Sequence, residues 1–268
     1  MNIFCKITKP YMSNALRRIE DGIRATMPDS YVWVTSEREA DVIIAPVVDI
    51  KDATGVNNRT VLMQLCYLTG AADVHAWRNV WAKAGMVVSY LKLPMADYLR
   101  MPLGFDPKIF YPRPEQPKLY RAAVTGYVDW EDGGEVIAGV YRAFKNIIHV
   151  GKNFNLGTGY THAEGVSDMQ MAAIYAASEY VVSIRAIEGF ELPIIEGAAC
   201  GCTPVALDLE CYRQWFSGYA LFVDEDYIEE GLQEINNNSR KRVPRDMTIF
   251  HWDKVMQPFW HRIEEKYA

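Results

Sequence analysis

Three prolines within six positions, Pro112, Pro114 and Pro117 in FYPRPEQPKLY, interrupt this chain at residues 110–120 and exclude both a helix and a central strand there. The sequence on either side of the break has one character. Short apolar runs alternate with segments of helical periodicity, the pattern of a parallel sheet with crossover helices. Chain length agrees with two modest α/β units, since 268 residues at roughly 150 per domain give about 1.8.

Before the break, residues 1–7, 31–35, 41–47, 59–67 and 86–90 read as short strands. Residues 12–27 read as an amphipathic helix, with Leu16, Ile19 and Ile23 at helical spacing and Arg17, Arg18, Glu20 and Asp21 around its other side. Residues 74–84 read as a second helix. After the break, strands are expected at 121–125, 146–150, 180–184, 205–207 and 220–223, with a helix at 135–144. Ser167 followed by Gln170 is a capping-box signature for a helix running to about residue 178. In EGFELPIIEGAACG, Pro193 is placed to open a helix and Gly201 to end it. Glu188 then falls in a loop and Glu196 on a short helix. The tail, residues 250–267, has the pattern of one aromatic-rich amphipathic helix.

Composition narrows the class. Half the residues are hydrophobic, with 7 Trp, 16 Tyr and 10 Phe, which excludes a disordered scaffold. The net charge of −6 is opposite to the basic footprint of a protein that lives on nucleic acid or anionic lipid. The charge is uneven: residues 1–110 carry 13 Lys and Arg against 11 Asp and Glu, and residues 111–268 carry 15 against 23. Five cysteines without a C-x-x-C pair fit neither a disulfide framework nor a four-thiolate zinc site. The expected compartment is a reducing cytoplasm, the host's if the chain is viral. With Lys6 and Lys9 near the start and no run of about 18 apolar residues, the chain is expected to be soluble and unprocessed. His75, His149, His162, His251 and His261 show no ligand spacing, so no metal is expected and most are expected to be structural.

Glu188 and Glu196 flank a Gly/Pro turn at the carboxyl edge of an expected parallel strand, where ligands bind in open α/β sheets. A carboxylate accepts well from paired hydroxyls such as those of ribose or hexose. Two exposed acids that merely stabilise a helix dipole are the competing reading.

The segment EGFELPIIEGAACG followed by Pro204 and Val205 resembles the Glu-x7-Glu signature of the retaining GT-B glycosyltransferases of family four. MPLGFDPKIFYP, MAAIYAASEYVVSIRAIEGF, SGYALFVDEDYIEEGLQEI and FHWDKVMQPF resemble further segments of that family, so the likeness spans about residues 86–268. Residues 1–85 share only its α/β rhythm. The resemblance implies an α/β GT-B fold, two Rossmann-like domains facing a cleft. Residues 1–112 would form the acceptor-side domain, 113–120 a linker, 121–247 the nucleotide-sugar domain and 248–268 a helix returning to the first domain. It implies a retaining, metal-independent transferase with no cofactor beyond its nucleotide-diphosphate sugar.

Residue by residue, the resemblance gives Glu188 the hydroxyls of the transferred sugar and Glu196 the ribose. Phe190, Glu191 and Leu192 would offer backbone N–H groups to sugar and phosphates. Gly126 and Tyr127 match the start of the family's cationic loop, but Tyr127 stands where Arg is usual and Asp132 where Lys is usual. Arg185, beside Glu188, and Lys152 are the candidate replacement cations. On the acceptor side the candidates are Lys9, Ser13, Thr69 and Gly70. The acceptor is open between a glycan, a small molecule and, for a phage-type enzyme, a modified DNA base. The missing cations keep a second class open, a non-catalytic module that binds a sugar nucleotide or glycan. A glycosidase using the two carboxylates is a third.

Overall fold

Every strand pairing among the described residues is parallel, so each connection must cross back over a sheet, and the sequence alternates accordingly. The computed structural model describes all residues except 8–13, 66–70, 126–133, 152–159, 185–189 and 239–245. Two units divide the chain. The first takes residues Met1–Phe105 and Ile249–Ala268, and the second takes most of the residues between.

In the first unit the order along the chain is β1 (Asn2–Cys5), α1 (Asn14–Ala25), β2 (Val32–Trp33), β3 (Val42–Val47), β4 (Thr60–Gln64), α2 (Ala71–Trp81), β5 (Met86–Ser89) and β6 (Leu99–Arg100). The sheet order is β2-β1-β3-β4-β5-β6. β3, β4 and β5 are buried along their whole length, so they read as apolar runs with polar residues, Thr60, Gln64 and Ser89, only at strand ends. α1 buries the expected stripe of Leu16, Ile19 and Ile23. β6 is a sixth strand that the sequence pattern does not predict. Two residues are too few for alternation to register.

The second unit runs β7 (Tyr120–Thr125), α3 (Gly134–Phe144), β8 (Ile147–Val150), β9 (Thr161–Ala163), α4 (Asp168–Ala176), β10 (Ser178–Ser183), α5 (Leu192–Ala199), β11 (Thr203–Leu207), α6 (Glu210–Phe216), β12 (Leu221–Val223) and α7 (Ile228–Asn237). Its sheet order is β12-β11-β10-β7-β8-β9. From β7 the sheet grows first through β8 and β9 in one direction and then through β10, β11 and β12 in the other, the doubly wound dinucleotide-binding order. β9, α6 and α7 are additions to the sequence-based expectation.

The tail departs from its expected single helix. A 3-10 turn at Met247–Phe250 leads into α8 (Trp252–Val255), and a separate helix α9 (Gln257–Tyr267) follows. Pro258 has no N–H to continue a helical ladder and sits in the first turn of α9, where none is needed. The Phe105 N–H donates to the Phe250 carbonyl at 2.9 Å, and the indole of Trp252 fills the space left by two glycines. A Cβ on Gly22 would lie 2.3 Å from that indole and one on Gly104 2.8 Å from it. Trp260 also donates through Nε1 to the Thr26 hydroxyl at 3.1 Å.

Candidate functional site

In the second unit the chain reverses its direction of winding between β7 and β10. Crevices for ligands form outside the carboxyl ends of strands at such a switch point. The elements that shape this edge are specified locally. Ser167 caps α4: its hydroxyl accepts from the Gln170 N–H at 3.3 Å, while the Gln170 side chain accepts from the Ser167 N–H at 2.8 Å. The helix delivers the chain into β10, where Tyr180, Val181 and Val182 are fully buried.

α5 then starts at the carboxyl edge with Pro193 in its first turn, as the sequence predicts. It ends where predicted too. Gly201 takes a left-handed φ of +89°, Gly201 N–H donates to the Ala198 carbonyl at 3.0 Å, and Cys202 N–H donates to the Gly197 carbonyl at 2.9 Å. This is a Schellman closure that a side chain with a Cβ would strain. Gly197 has a different reason to be glycine. A Cβ there would stand 2.5 Å from Cγ1 of Val181, so the helix lies directly against β10.

Glu196, one residue before that contact, is only 1% exposed. Its charge acts on Cys200 one turn later. Burial first and Glu196 second push the Cys200 thiol up to about 12, with Arg113 pulling the other way. Glu191 precedes α5 in extended conformation, is buried, and accepts from the hydroxyl of Tyr212 on α6 at 3.3 Å. Leu192 is buried as the first residue of α5. Phe190 counts with the first unit, where its ring lies 5.8 Å from Tyr90 and 6.2 Å from Phe250.

Of the residues expected to form the site, Glu196, Glu191 and Leu192 are thus brought together on and beside α5. Glu188, Arg185, Gly126, Tyr127, Lys152, Lys9, Ser13, Thr69 and Gly70 lie outside the described residues, as does Asp132. Two residues that sequence reasoning passed over flank the switch point. Thr125 ends β7 and Ser183 ends β10, and their hydroxyl oxygens are buried without a hydrogen-bond partner among the described residues.

The histidines also gain an address. His149 on β8 and His162 on β9 are register partners, with their Nδ1 atoms 3.3 Å apart. One ring donates and the other accepts. Without β9 in the expected strand set, their spacing carried no meaning. Among the described residues no group of three or more His, Cys, Asp or Glu side chains could hold a metal ion.

No protein-family model matches the chain, and no curated protein does. Solved structures do. The sucrose-phosphate synthase from Thermosynechococcus elongatus is 12% identical, with a TM-score of 0.64 over 100% of this chain and 94% of that one. Anabaena HepE, in complex with UDP and glucose, is also 12% identical, with a TM-score of 0.65 over 100% of this chain and 95% of its own. An alpha-glucosyltransferase in complex with UDP and a 13-mer DNA containing a HMU base is 11% identical, with a TM-score of 0.58 over 99% and 98%. No helix among the described residues is long and apolar enough to cross a membrane. Two parallel six-stranded α/β sheets, matched along the full chain by glycosyltransferases of this architecture, give the protein the GT-B fold.

Proposed function

We propose that the chain is a retaining glycosyltransferase that moves a sugar from a nucleotide-diphosphate sugar to an acceptor hydroxyl. The observation that carries the reading is Glu196, a carboxylate held 1% exposed on the helix that abuts β10 at the switch point. A carboxylate accepts well from paired hydroxyls such as those of ribose. The first turn of α5 offers N–H groups and the positive end of a helix dipole to the diphosphate. Glu188 takes the hydroxyls of the transferred sugar, with Arg185 and Lys152 supplying positive charge.

The reaction breaks the bond between the anomeric carbon and the diphosphate oxygen through an oxocarbenium-like state. The acceptor oxygen attacks from the same face, and its proton passes to the departing diphosphate. In this reading the protein's work is positioning and stabilisation of charge on the leaving group, with no resident metal. Acceptors fall into the three classes named above. The HMU-containing DNA in one similar structure keeps a modified base among them. Tyr127 and Asp132, where cations are usual, favour the second reading of a binding module without turnover.

A thermal-shift panel with UDP, GDP, ADP and their sugars, followed by a transfer assay, separates the two. Binding together with turnover supports the enzyme, whereas binding with no turnover of any sugar nucleotide leaves the module. Glu196→Gln should weaken binding of the nucleotide by about tenfold or more, on the order of a lost hydrogen bond to a charged group. Glu188→Ala should lower turnover more than affinity. Unchanged transfer by both variants sinks the assignment.

A further inference from the structure

β7 and β10 pair in parallel with Val124 opposite Val182, and the next residue on each strand is Thr125 and Ser183. These two hydroxyls therefore stand side by side on one face of the sheet, at its carboxyl edge, where the winding direction reverses. The face is the one that α5 covers. Val181 meets Gly197 of that helix, and strand alternation turns Ser183 to the same side as Val181.

The position along the helix follows from geometry. Ser183 lies two residues beyond Val181 towards the carboxyl edge, about 6.6 Å along the strand. β10 and β11 are parallel, so α5 runs back against them. The same distance corresponds to about four residues of helix, counted from Gly197 back to Pro193 in the first turn. Ser183 is 1% exposed, and neither its Oγ nor Thr125 Oγ1 has a hydrogen-bond partner among the described residues. Buried hydroxyls are normally paired, because leaving one unmade costs the whole of its lost hydration.

Two donors without a partner among the described residues, Ser183 level with the first turn of α5 and Thr125 next to it on β7, match a ligand that accepts hydrogen bonds and carries negative charge. We propose that Thr125 and Ser183 are donor-binding residues whose hydroxyls hydrogen-bond the diphosphate of the nucleotide sugar. This rests on the glycosyltransferase reading and extends it. In a chain with Tyr127 and Asp132 at the usual cationic positions, part of the diphosphate's recognition passes from charged side chains to neutral hydroxyls at the sheet edge.

The test uses the full chain and compares nucleoside diphosphates with the nucleosides that lack the phosphates. Affinities for UDP, GDP and ADP, and for uridine, guanosine and adenosine, are measured by calorimetry for wild type, Ser183→Ala, Thr125→Val and Thr125→Ser. Ser183→Ala and Thr125→Val should each weaken the preferred diphosphate by about tenfold, as expected for a hydrogen bond to an anion, and leave its nucleoside within about twofold. Thr125→Ser keeps the hydroxyl and should keep the affinity. Melting temperatures should hold or rise, because an unmade buried hydrogen bond is removed. Diphosphate affinity that survives both deletions overturns the proposal, as does an equal loss for diphosphate and nucleoside. Glu196→Gln separates this from the underlying reading, since it should weaken nucleoside and diphosphate alike. If no diphosphate binds the wild type, both fall. If Glu196→Gln binds normally while Ser183→Ala does not, only the ribose contact falls.

Discussion

Gly197→Ala should destabilise the second unit, against the usual trend for a glycine in a helix. Its backbone φ lies outside the left-handed region, so alanine is conformationally permitted there. On propensity alone the change would gain up to about 1 kcal/mol. The new methyl would instead stand 2.5, 2.8 and 3.1 Å from Cγ1, Cβ and Cγ2 of Val181, where ordinary carbon contacts need roughly 3.5 Å or more. Either α5 lifts by about 1 Å or Val181 leaves its rotamer, and overpacking of this kind costs about 1–3 kcal/mol. The net effect should lie between neutral and a loss of about 2 kcal/mol. The sharper signature is in the pair. Val181→Ala alone opens a cavity at a fully buried site and should cost about 2 kcal/mol. In the double variant the methyl added by Gly197→Ala occupies the vacated space, so the combined loss should fall short of the sum by about 1–3 kcal/mol. Urea unfolding followed by far-UV circular dichroism measures all four corners of the cycle. A Gly197→Ala variant that is stabilised by about 1 kcal/mol, with effects additive to within about 0.5 kcal/mol, would show that α5 does not lie against β10. Because Glu196 is the adjacent residue, nucleotide affinity should fall in Gly197→Ala and return in the double variant.

Trp252→Ala removes the indole that occupies the space beside Gly22 and Gly104 and should cost about 3–5 kcal/mol, read as a lower melting temperature of the first unit. Cys5, Cys200 and Cys202 are buried, and burial pushes each thiol up, that of Cys200 to about 12. Iodoacetamide at about pH 8 should therefore leave all three unmodified in the native chain and alkylate them in urea, as peptide mass spectrometry can show. Native labelling of Cys202 would contradict its place under the Tyr175 and Ser178 carbonyls. The same three thiols predict an alkaline loss of stability. Above the ordinary thiol value of 9.0 the unfolded chain gives up these protons before the folded one does, so stability should fall from about pH 9 upward and, for Cys200, level off near 12.

What the sequence makes legible here is what local chemistry specifies. Ser167 with Gln170, Pro193 and Gly201 each act through one or two neighbouring peptide groups, and the capping box, the start of α5 and its Schellman end all stand where those residues put them. Strands buried on both faces are equally readable, as in β3 and β4, because successive residues in their middle must be apolar. Short edge elements are not. β9 is three residues, THA, with a partly exposed face, and no period can be counted in it. α6 and α7 were accessible in principle, since acids occupy the first turn of each and α7 buries Leu232 and Ile235 at i and i+3 spacing.

The candidate site divides along the same line. Glu196 announces itself through a motif in which Pro193 and Gly201 bracket it within nine residues. Thr125 and Ser183 are separated by 58 positions and are unremarkable in sequence, each a small polar residue at the end of an apolar run. They become neighbours only because β10 inserts beside β7 rather than beyond β9, and a shift of one residue in that register would turn one hydroxyl to the opposite face. A separate pairing, of β8 with β9, sets His149 opposite His162. The acid excess of residues 111–268 sharpens the point. Under the proposed function, the acid-rich half would hold a diphosphate with donors whose strength does not depend on a net positive charge, and backbone N–H groups and hydroxyls at a switch point are such donors. Charge counting along the sequence looks for Lys and Arg and passes over them, because only the parallel register of β7 and β10 makes Thr125 and Ser183 neighbours and leaves their hydroxyls buried without a hydrogen-bond partner among the described residues.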